Sequence, residues 1–269
     1  MIQKCFDVYR RLAFPVLGKL GNLREHVVVY TIGARDGLPS SRLQYLHRQN
    51  AITSVGFEPD PEEAARLGKA GVLTHVLPFA VGRVSGAATL YLTRMRGASS
   101  LYPPDIDLLR QLTPIAEEFQ VEKKLQVELR RLDELIDSEG IPPPELLHID
   151  AQASELDILQ GAGRYLQGVS VITLEVQTYP VYRGQKLFHE IAEWLWKEGF
   201  VCCQIDNPND SPVFSPFFVE ANVSFVHRSK LESGCERTRL LMELARLGEH
   251  STSPWKTRVH KLLKACGFK

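Results

Sequence analysis

The chain reads as a doubly wound α/β fold with a mixed sheet, and three observations predict it. Short β-branched runs alternate with stretches of helical periodicity. Those runs end on glycines and carboxylates, and two late strands follow one another with no helix between them. Open α/β sheets bind ligands beyond the carboxyl ends of their strands, where the strand order reverses. The residues just after each apolar run are therefore the candidates for function.

Val27-Val28-Val29-Tyr30-Thr31-Ile32 is a β-branched run that reads as a strand buried on both faces. A helix follows from about Ser40 to Asn50, with Ser40 or Ser41 as its N-cap. Ile52 to Glu58 is the second strand. Asp60 caps the next helix, Pro61 suits its first turn, and Glu62 and Glu63 complement its dipole. His75 to Ala80 is a third strand, completing a βαβαβ half-sheet.

Residues 82–130 are less regular: Ala87 to Thr93 reads as an extra strand, Gly97 to Pro104 as a loop, and Val121 to Leu129 as a strand. Leu132 to Ser138 is a short helix. Beyond Pro142, Pro143 and Pro144 come a strand from Leu146 to Asp150, a helix from Ser154 to Tyr165 and a strand from Val169 to Val176. A helix from Leu187 to Glu198 then stops at Gly199. Phe200 to Ile205 and Phe217 to His227 form an antiparallel hairpin around the turn-rich segment 207–212. The expected organisation is a helical extension over 1–24, the main domain over 25–229, and a helical tail over 230–269 with a basic stretch from Lys256 to Lys269.

Composition narrows the function classes. The 269 residues are 44% hydrophobic and 24% charged, the profile of a globular protein. Lys and Arg number 32, as do Asp and Glu, so the net charge is zero and no nucleic-acid surface is announced. The five cysteines are odd in number and show no C-x-x-C spacing, which predicts reduced thiols in a cytoplasmic protein rather than disulfides or zinc. No stretch of 18 apolar residues exists to span a membrane. G-x-S-x-G and H-E-x-x-H are absent, so neither a serine-hydrolase nor a metal site is expected. Trp194 and Trp196, flanking Leu195, read as helix packing.

Four strand ends carry the candidate chemistry. At the first, Gly33-Ala34-Arg35-Asp36-Gly37 lets the backbone turn sharply and approach a ligand. It is neither G-x-G-x-x-G nor a phosphate-cradling loop, and its shortness favours an adenosyl amino acid over a dinucleotide. At the second, Glu58 and Pro59 lie where a doubly wound fold places the carboxylate for ribose hydroxyls. At the third, Ala80 and Val81 offer small apolar walls. At the fourth, Asp150 ends a buried strand and needs partners there, while Glu155 opens the next helix. Glu175, on the following strand, points toward the cleft or a pairing partner. His148 reads as a satisfied structural histidine.

Taken together these residues resemble the FkbM family of methyltransferases. The matching segments are residues 29–37, Gly-Phe-Glu-Pro-Asp-Pro at 56–61, Arg-Leu-Asp-Glu-Leu at 131–135 and 148–162, followed by Tyr182 to Gln185. The resemblance implies a class I methyltransferase fold, Rossmann-like and seven-stranded, and S-adenosyl-L-methionine as cofactor. It implies O-methylation of a hydroxyl on a sugar, glycan or secondary metabolite. By position, Thr31, Gly33, Ala34, Asp36 and Gly37 would serve the methionine end, Glu58 and Pro59 the ribose, and Ala80 and Val81 the adenine. Asp150 would sit beside the methyl donor as first candidate for the base, with Glu155 or Glu175 second, and Ser99 and Ser100 would face the acceptor. The chain departs from the family pattern at Thr31 and Arg35, where Asp and Asn are usual, and Ala153 or Ser154 replaces a glycine. Asp36 is placed to substitute for the missing carboxylate. The alternative is a binding or scaffold protein that keeps the fold without the chemistry. An NAD(P) oxidoreductase is disfavoured by the short glycine loop and the lack of a Tyr-x-x-x-Lys pair.

Overall fold

The computed structural model describes residues 26–206, 213, 214, 216–233 and 236–245. The expected N-terminal extension, the turn segment 207–212 and the basic stretch from Lys256 lie outside them.

The main sheet is built from β1 (Val27–Ile32), β2 (Ile52–Phe57), β3 (His75–Leu77), β7 (Leu146–Ile149), β8 (Val171–Gln177), β9 (Phe200–Ile205) and β10 (Glu220–His227). Their order is β3-β2-β1-β7-β8-β10-β9, with β10 antiparallel to both its neighbours. The expected hairpin is therefore present, with β10 on the inside and β9 at the edge. Strand order reverses between β1 and β7, which pair in parallel. That is where a ligand cleft belongs.

Strand alternation divides the core into two layers. Tyr30 and Ile32 of β1 face one side, with Leu135 of α4 (Leu132–Glu139), Ile158 of α5 (Glu155–Gly161) and Leu195 of α6 (Phe188–Lys197). Val27 and Val29 face the other, with Leu43 of α1 (Ser41–Arg48), Leu67 of α2 (Pro61–Ala70) and Leu241 of α8 (Glu236–Ala245). The caps read from sequence are made: Ser40 accepts from the Leu43 amide at 3.3 Å, and Asp60 from that of Glu62 at 3.1 Å. Between α8 and β10 lies α7 (Arg228–Glu232). Helix α8 belongs to the flanking layer, and Arg237 clamps Glu145 with two contacts of 2.6 Å.

Three expectations change. The third strand splits: β3 stops at Leu77, because Pro78 has no amide to continue the ladder, and β4 (Ala80–Gly82) joins a second sheet. That sheet, ordered β4-β6-β5, pairs β5 (Gly86–Thr93) antiparallel to the eleven-residue β6 (Val121–Arg131). The helix expected to reach Tyr165 ends at Gly161 and tightens into a 3₁₀ segment, Gly163–Gly168. Finally, Trp196 is 57% exposed with Arg228 stacked on its ring at 4.8 Å, while Leu195 is fully buried. Residues two apart on a helix face opposite sides, so Trp194 and Trp196 cannot both pack inward.

A satellite apolar cluster caps the carboxyl edge of the main sheet. It joins Leu109 and Leu112 of α3 (Ile106–Leu112) to Phe119, Tyr182 and Phe214.

Candidate functional site

A cleft opens at the point where the strand order reverses. Its floor is made of the ends of β1, β2 and β7, and its roof of β4, β5 and the segment 96–101.

The β1 end is wedged between its neighbours. Gly33 stands at φ +82°, and a Cβ there would lie 1.9 Å from the Asp150 carbonyl oxygen. The amides of Gly33 and Ala34 both donate to the Phe57 carbonyl at 3.1 Å, and Gly37, at φ +78°, donates to the Ala34 carbonyl at 2.7 Å. Glycine is demanded at 33 by the backbone of β7, so the space the sequence assigned to a ligand is filled by protein. Gly33, Arg35 and Asp36 line the cleft, whereas Ala34 is fully buried in the core and Gly37 lies outside the lining. Thr31 is buried one residue behind, its Oγ1 without a hydrogen bond among the described residues. Arg35 turns toward the start of α2, with Nη2 3.1 Å from Asp60 and Nη1 3.8 Å from Glu63.

Glu58 ends β2, and its carboxylate lines the cleft although the residue is only 5% exposed. Oε1 accepts the Asp60 amide at 2.9 Å. Burial pushes its pKa up to about 7; the Asp60 amide and the Arg35 charge oppose the shift without cancelling it. A carboxyl so poised can accept two hydroxyl donors when ionised.

The β7 end is the most constrained part of the site. Asp150 lines the cleft and accepts from Gln152 Nε2 at 2.8 Å. Gln152 and Ala153 stand at φ +52° and +95°, conformations that cost non-glycine residues about 1–3 kcal/mol each. Glu155, fully buried beneath them, accepts the Ala151 and Ala153 amides on Oε1 at 3.3 and 3.2 Å. Its Oε2 and the Ser154 hydroxyl have no hydrogen bond among the described residues. Burial, reinforced by the Asp150 charge, pushes the Glu155 carboxyl up to about 8. Glu155 thus holds the loop from behind and does not line the cleft. Glu175 is also outside it; it accepts from Gln152 and lines a second cavity of about 280 Å³. His148 is hydrogen-bonded to Thr173 at 2.9 Å, as a structural histidine would be.

The roof supplies Ala80 and Val81 from β4, Leu90 and Leu92 from β5, and then Ser99, Ser100 and Leu101. Both serines line the cleft, yet the Ser100 hydroxyl is committed to the Gln152 carbonyl and the Tyr102 amide. Ser99 Oγ accepts the Thr93 amide at 3.2 Å. Arg96 lines the roof and is held by Glu122 at 3.0 Å.

The structure therefore gathers Gly33, Asp36, Glu58, Pro59, Ala80, Val81, Ser99, Ser100 and Asp150 around one cleft. Thr31, Ala34, Gly37, Glu155 and Glu175 support that wall from behind or beside it. Sequence reasoning missed Gln152, Tyr182, Arg96 and the pair Leu90 and Leu92. Gln152 and Tyr182 lay within the family-like segments without a role of their own, and Leu90 and Leu92 showed the period-2 alternation of a strand with one face inward; Arg96 had no signal.

A family model of the methyltransferase FkbM domain matches residues 31–202, more than half of the chain. The chain belongs to the FkbM methyltransferase family. Its sheet order, with one antiparallel strand, is the class I methyltransferase fold. Similar solved structures include precorrin-6y C5,15-methyltransferase from Geobacter metallireducens, 16% identical over 78% of this chain and 85% of that one, with a TM-score of 0.36. A TehB-like SAM-dependent methyltransferase from Corynebacterium glutamicum is 10% identical over 84% and 97%, with a TM-score of 0.36. The plantazolicin methyltransferase BpumL, solved with SAH, is 11% identical over 84% and 89%, with a TM-score of 0.37. No curated protein sequence matches the chain.

The cleft of this FkbM methyltransferase fits S-adenosylmethionine on its own chemistry. Its lining holds a buried acidic residue, Glu58, and small apolar residues, Ala80 and Val81, the kinds of group that the hydroxyls and the flat base of a nucleoside require. Among the described residues no helix is long and apolar enough to cross a membrane.

Proposed function

We propose that this methyltransferase methylates a hydroxyl of a sugar, glycan or secondary metabolite, with Asp150 taking the hydroxyl proton. The observation that carries the reading is the placement of two carboxylates, Glu58 and Asp150, on one cleft at the reversal of strand order. When bound, S-adenosylmethionine supplies an electrophilic methyl group on a sulfonium, already a good leaving group.

The protein's task is then alignment and proton removal. Holding two reactants in line can lower a barrier by several kcal/mol, on the order of 7–11 in favourable cases. Glu58 accepts the ribose hydroxyls, with Pro59 beside it, and Ala80 and Val81 flank the adenine. Gly33 and Asp36 border the methionine end, and Thr31, Ala34 and Gly37 shape that loop from behind. Asp150, half-buried at the mouth of β7, lies within the cleft where an acceptor oxygen would approach. Its carboxylate takes the proton as the new C–O bond forms. Glu155 is ill-suited to that step, since Oε1 is committed to two amides and the group lies outside the cleft. Ser99 and Ser100 border the acceptor side, and Glu175 acts from outside the cleft through Gln152.

The test is methyl transfer to a panel of hydroxyl-bearing acceptors by wild type and Asp150→Asn. Loss of about 10²-fold or more in rate is expected of the variant. Full transfer with unaltered pH dependence would show that another group is the base. The scaffold alternative expects no transfer and no cofactor binding by the wild type.

A further inference from the structure

Gln152 is not used by the chemistry just described, yet it is the most heavily constrained residue near the cleft. With Ala153 it forms two consecutive non-glycine residues at positive φ. Such a backbone persists only where its surroundings over-determine it. Its side-chain amide is fully employed. Nε2 donates to Asp150 Oδ1 at 2.8 Å and to Glu175 Oε2, while Oε1 lies 2.9 Å from the Tyr182 hydroxyl. The Gln152 carbonyl accepts the Ser100 hydroxyl, tying the residue to the roof.

The amide can sit only one way round. Its two N–H groups are its only donors, and here each meets a carboxylate. Reversed, its carbonyl oxygen would face both carboxylates with no proton between them. Tyr182 suits the same choice: fully buried, its ionisation is strongly suppressed by burial and then by the nearby Glu175 charge, so it keeps a proton to donate. That hydroxyl lies 3.0 Å from the Ala98 carbonyl as well, and serves either acceptor with its one proton. Gln152 also lines both cavities, the cleft with Asp150 and the smaller one with Glu175.

We infer that Gln152 is a positioning residue that holds the Asp150 carboxylate beside the methyl donor, where it can meet the acceptor hydroxyl, by clamping it, through one amide, to Glu175. Tyr182 fixes the amide's orientation and Ser100 fixes its backbone. The inference rests on the reading of Asp150 as the group beside the methyl donor. Among the described residues no other side chain is hydrogen-bonded to that carboxylate: Glu155 repels it, and Arg35 is engaged with Asp60 and Glu63.

S-adenosylmethionine and S-adenosylhomocysteine differ at sulfur by one methyl group and one positive charge. The ratio of their dissociation constants therefore reads whether a carboxylate is held near that sulfonium, with no acceptor needed. Calorimetric titrations of the full chain with each are compared for wild type, Asp150→Asn, Gln152→Met and Tyr182→Phe. Asp150→Asn lowers the preference for the sulfonium about tenfold. Gln152→Met keeps the volume but removes both donors, and it lowers the preference by a similar factor with Asp150 intact. Tyr182→Phe lowers it by a smaller factor.

A folded Gln152→Met protein with the wild-type ratio, alongside an Asp150→Asn protein that has lost it, overturns the inference and leaves the reading of Asp150 standing. An Asp150→Asn protein with the wild-type ratio overturns both. Should Gln152→Met not fold, as circular dichroism would reveal, Tyr182→Phe decides: an unaltered ratio overturns the clamp.

Discussion

The floor and the roof of the cleft are made in opposite ways. The floor is a set of strand ends, each a largely buried run that gives way to a turn glycine or a carboxylate: Ile32 before Gly33, Phe57 before Glu58, Ile149 before Asp150. Parallel pairing of β1 with β2 and β7 brings those ends side by side without further help. The roof depends on a second sheet whose strands β5 and β6 pair across the segment 94–120, and on a loop that docks through Ser100. A wall made of strand ends is rigid because the main core holds it. A wall made by docking is only as firm as its own small cluster of Ala80, Leu90, Leu92 and Val127.

Substitutions can break that contrast, the floor first. Gly33→Ala should be the most damaging, because its methyl meets the Asp150 carbonyl at 1.9 Å and the backbone stands at φ +82°. A loss of at least about 3 kcal/mol is expected in urea unfolding, with the protein failing to fold at the upper end. A loss below about 1 kcal/mol would mean the floor yields easily, and the contrast would fail.

In the roof, Leu92→Ala should cost about 2–3 kcal/mol locally, since Leu92 is buried in the small cluster and lines the cleft. Hydrogen exchange should show the loss concentrated in β5 and β6, with β1 and β7 little changed. Equal loosening of both sheets would show that the roof is part of the main cooperative unit.

A smaller effect concerns Glu155. Its carboxyl is raised from an ordinary 4.5 to about 8, so between those values the folded protein keeps a proton that the unfolded chain has released. The stability this gives is complete below pH 4.5 and is lost as pH rises through about 8. Glu155→Gln, which can still accept both loop amides, should flatten that decline by on the order of 1–3 kcal/mol. Glu58, raised to about 7, pulls in the same direction, so a shallower decline ending near pH 7 should survive in the variant. Urea unfolding across pH 5 to about 9 checks both.

The same contrast explains what could be read from sequence. Strand ends announce themselves where periodicity breaks, so Gly33, Glu58 and Asp150 were legible. What they do for one another was not. The glycine at 33 reads as room for a ligand, and only the fold shows the Asp150 carbonyl occupying that room. The glycine missing from the β7 motif is at Ala153, with φ +95°, and not at Ser154, with φ −92°. Arg35, an oddity in sequence, is an ion-pair partner for the start of α2. In segment 82–130 the strands β5 and β6 were legible but their pairing in a second sheet was not, because their partners lie far along the chain, and loop residues such as Arg96 carry no period. Gln152 was legible only as a member of the matched segment 148–162; its hydrogen bonds exist only because β8 brings Glu175, and the segment after it Tyr182, to the same amide.

Calorimetric titration of the full chain with S-adenosylmethionine at pH 6 and pH 8 tests the central claim most directly, since the cleft is read here as a cofactor site with Glu58 as its ribose acceptor. One-to-one saturable binding is expected, tighter at pH 8 because Glu58, raised to about 7, is then ionised. Glu58→Gln should weaken binding about tenfold at pH 8 and remove the pH dependence. No binding heat at millimolar cofactor at either pH would contradict the account.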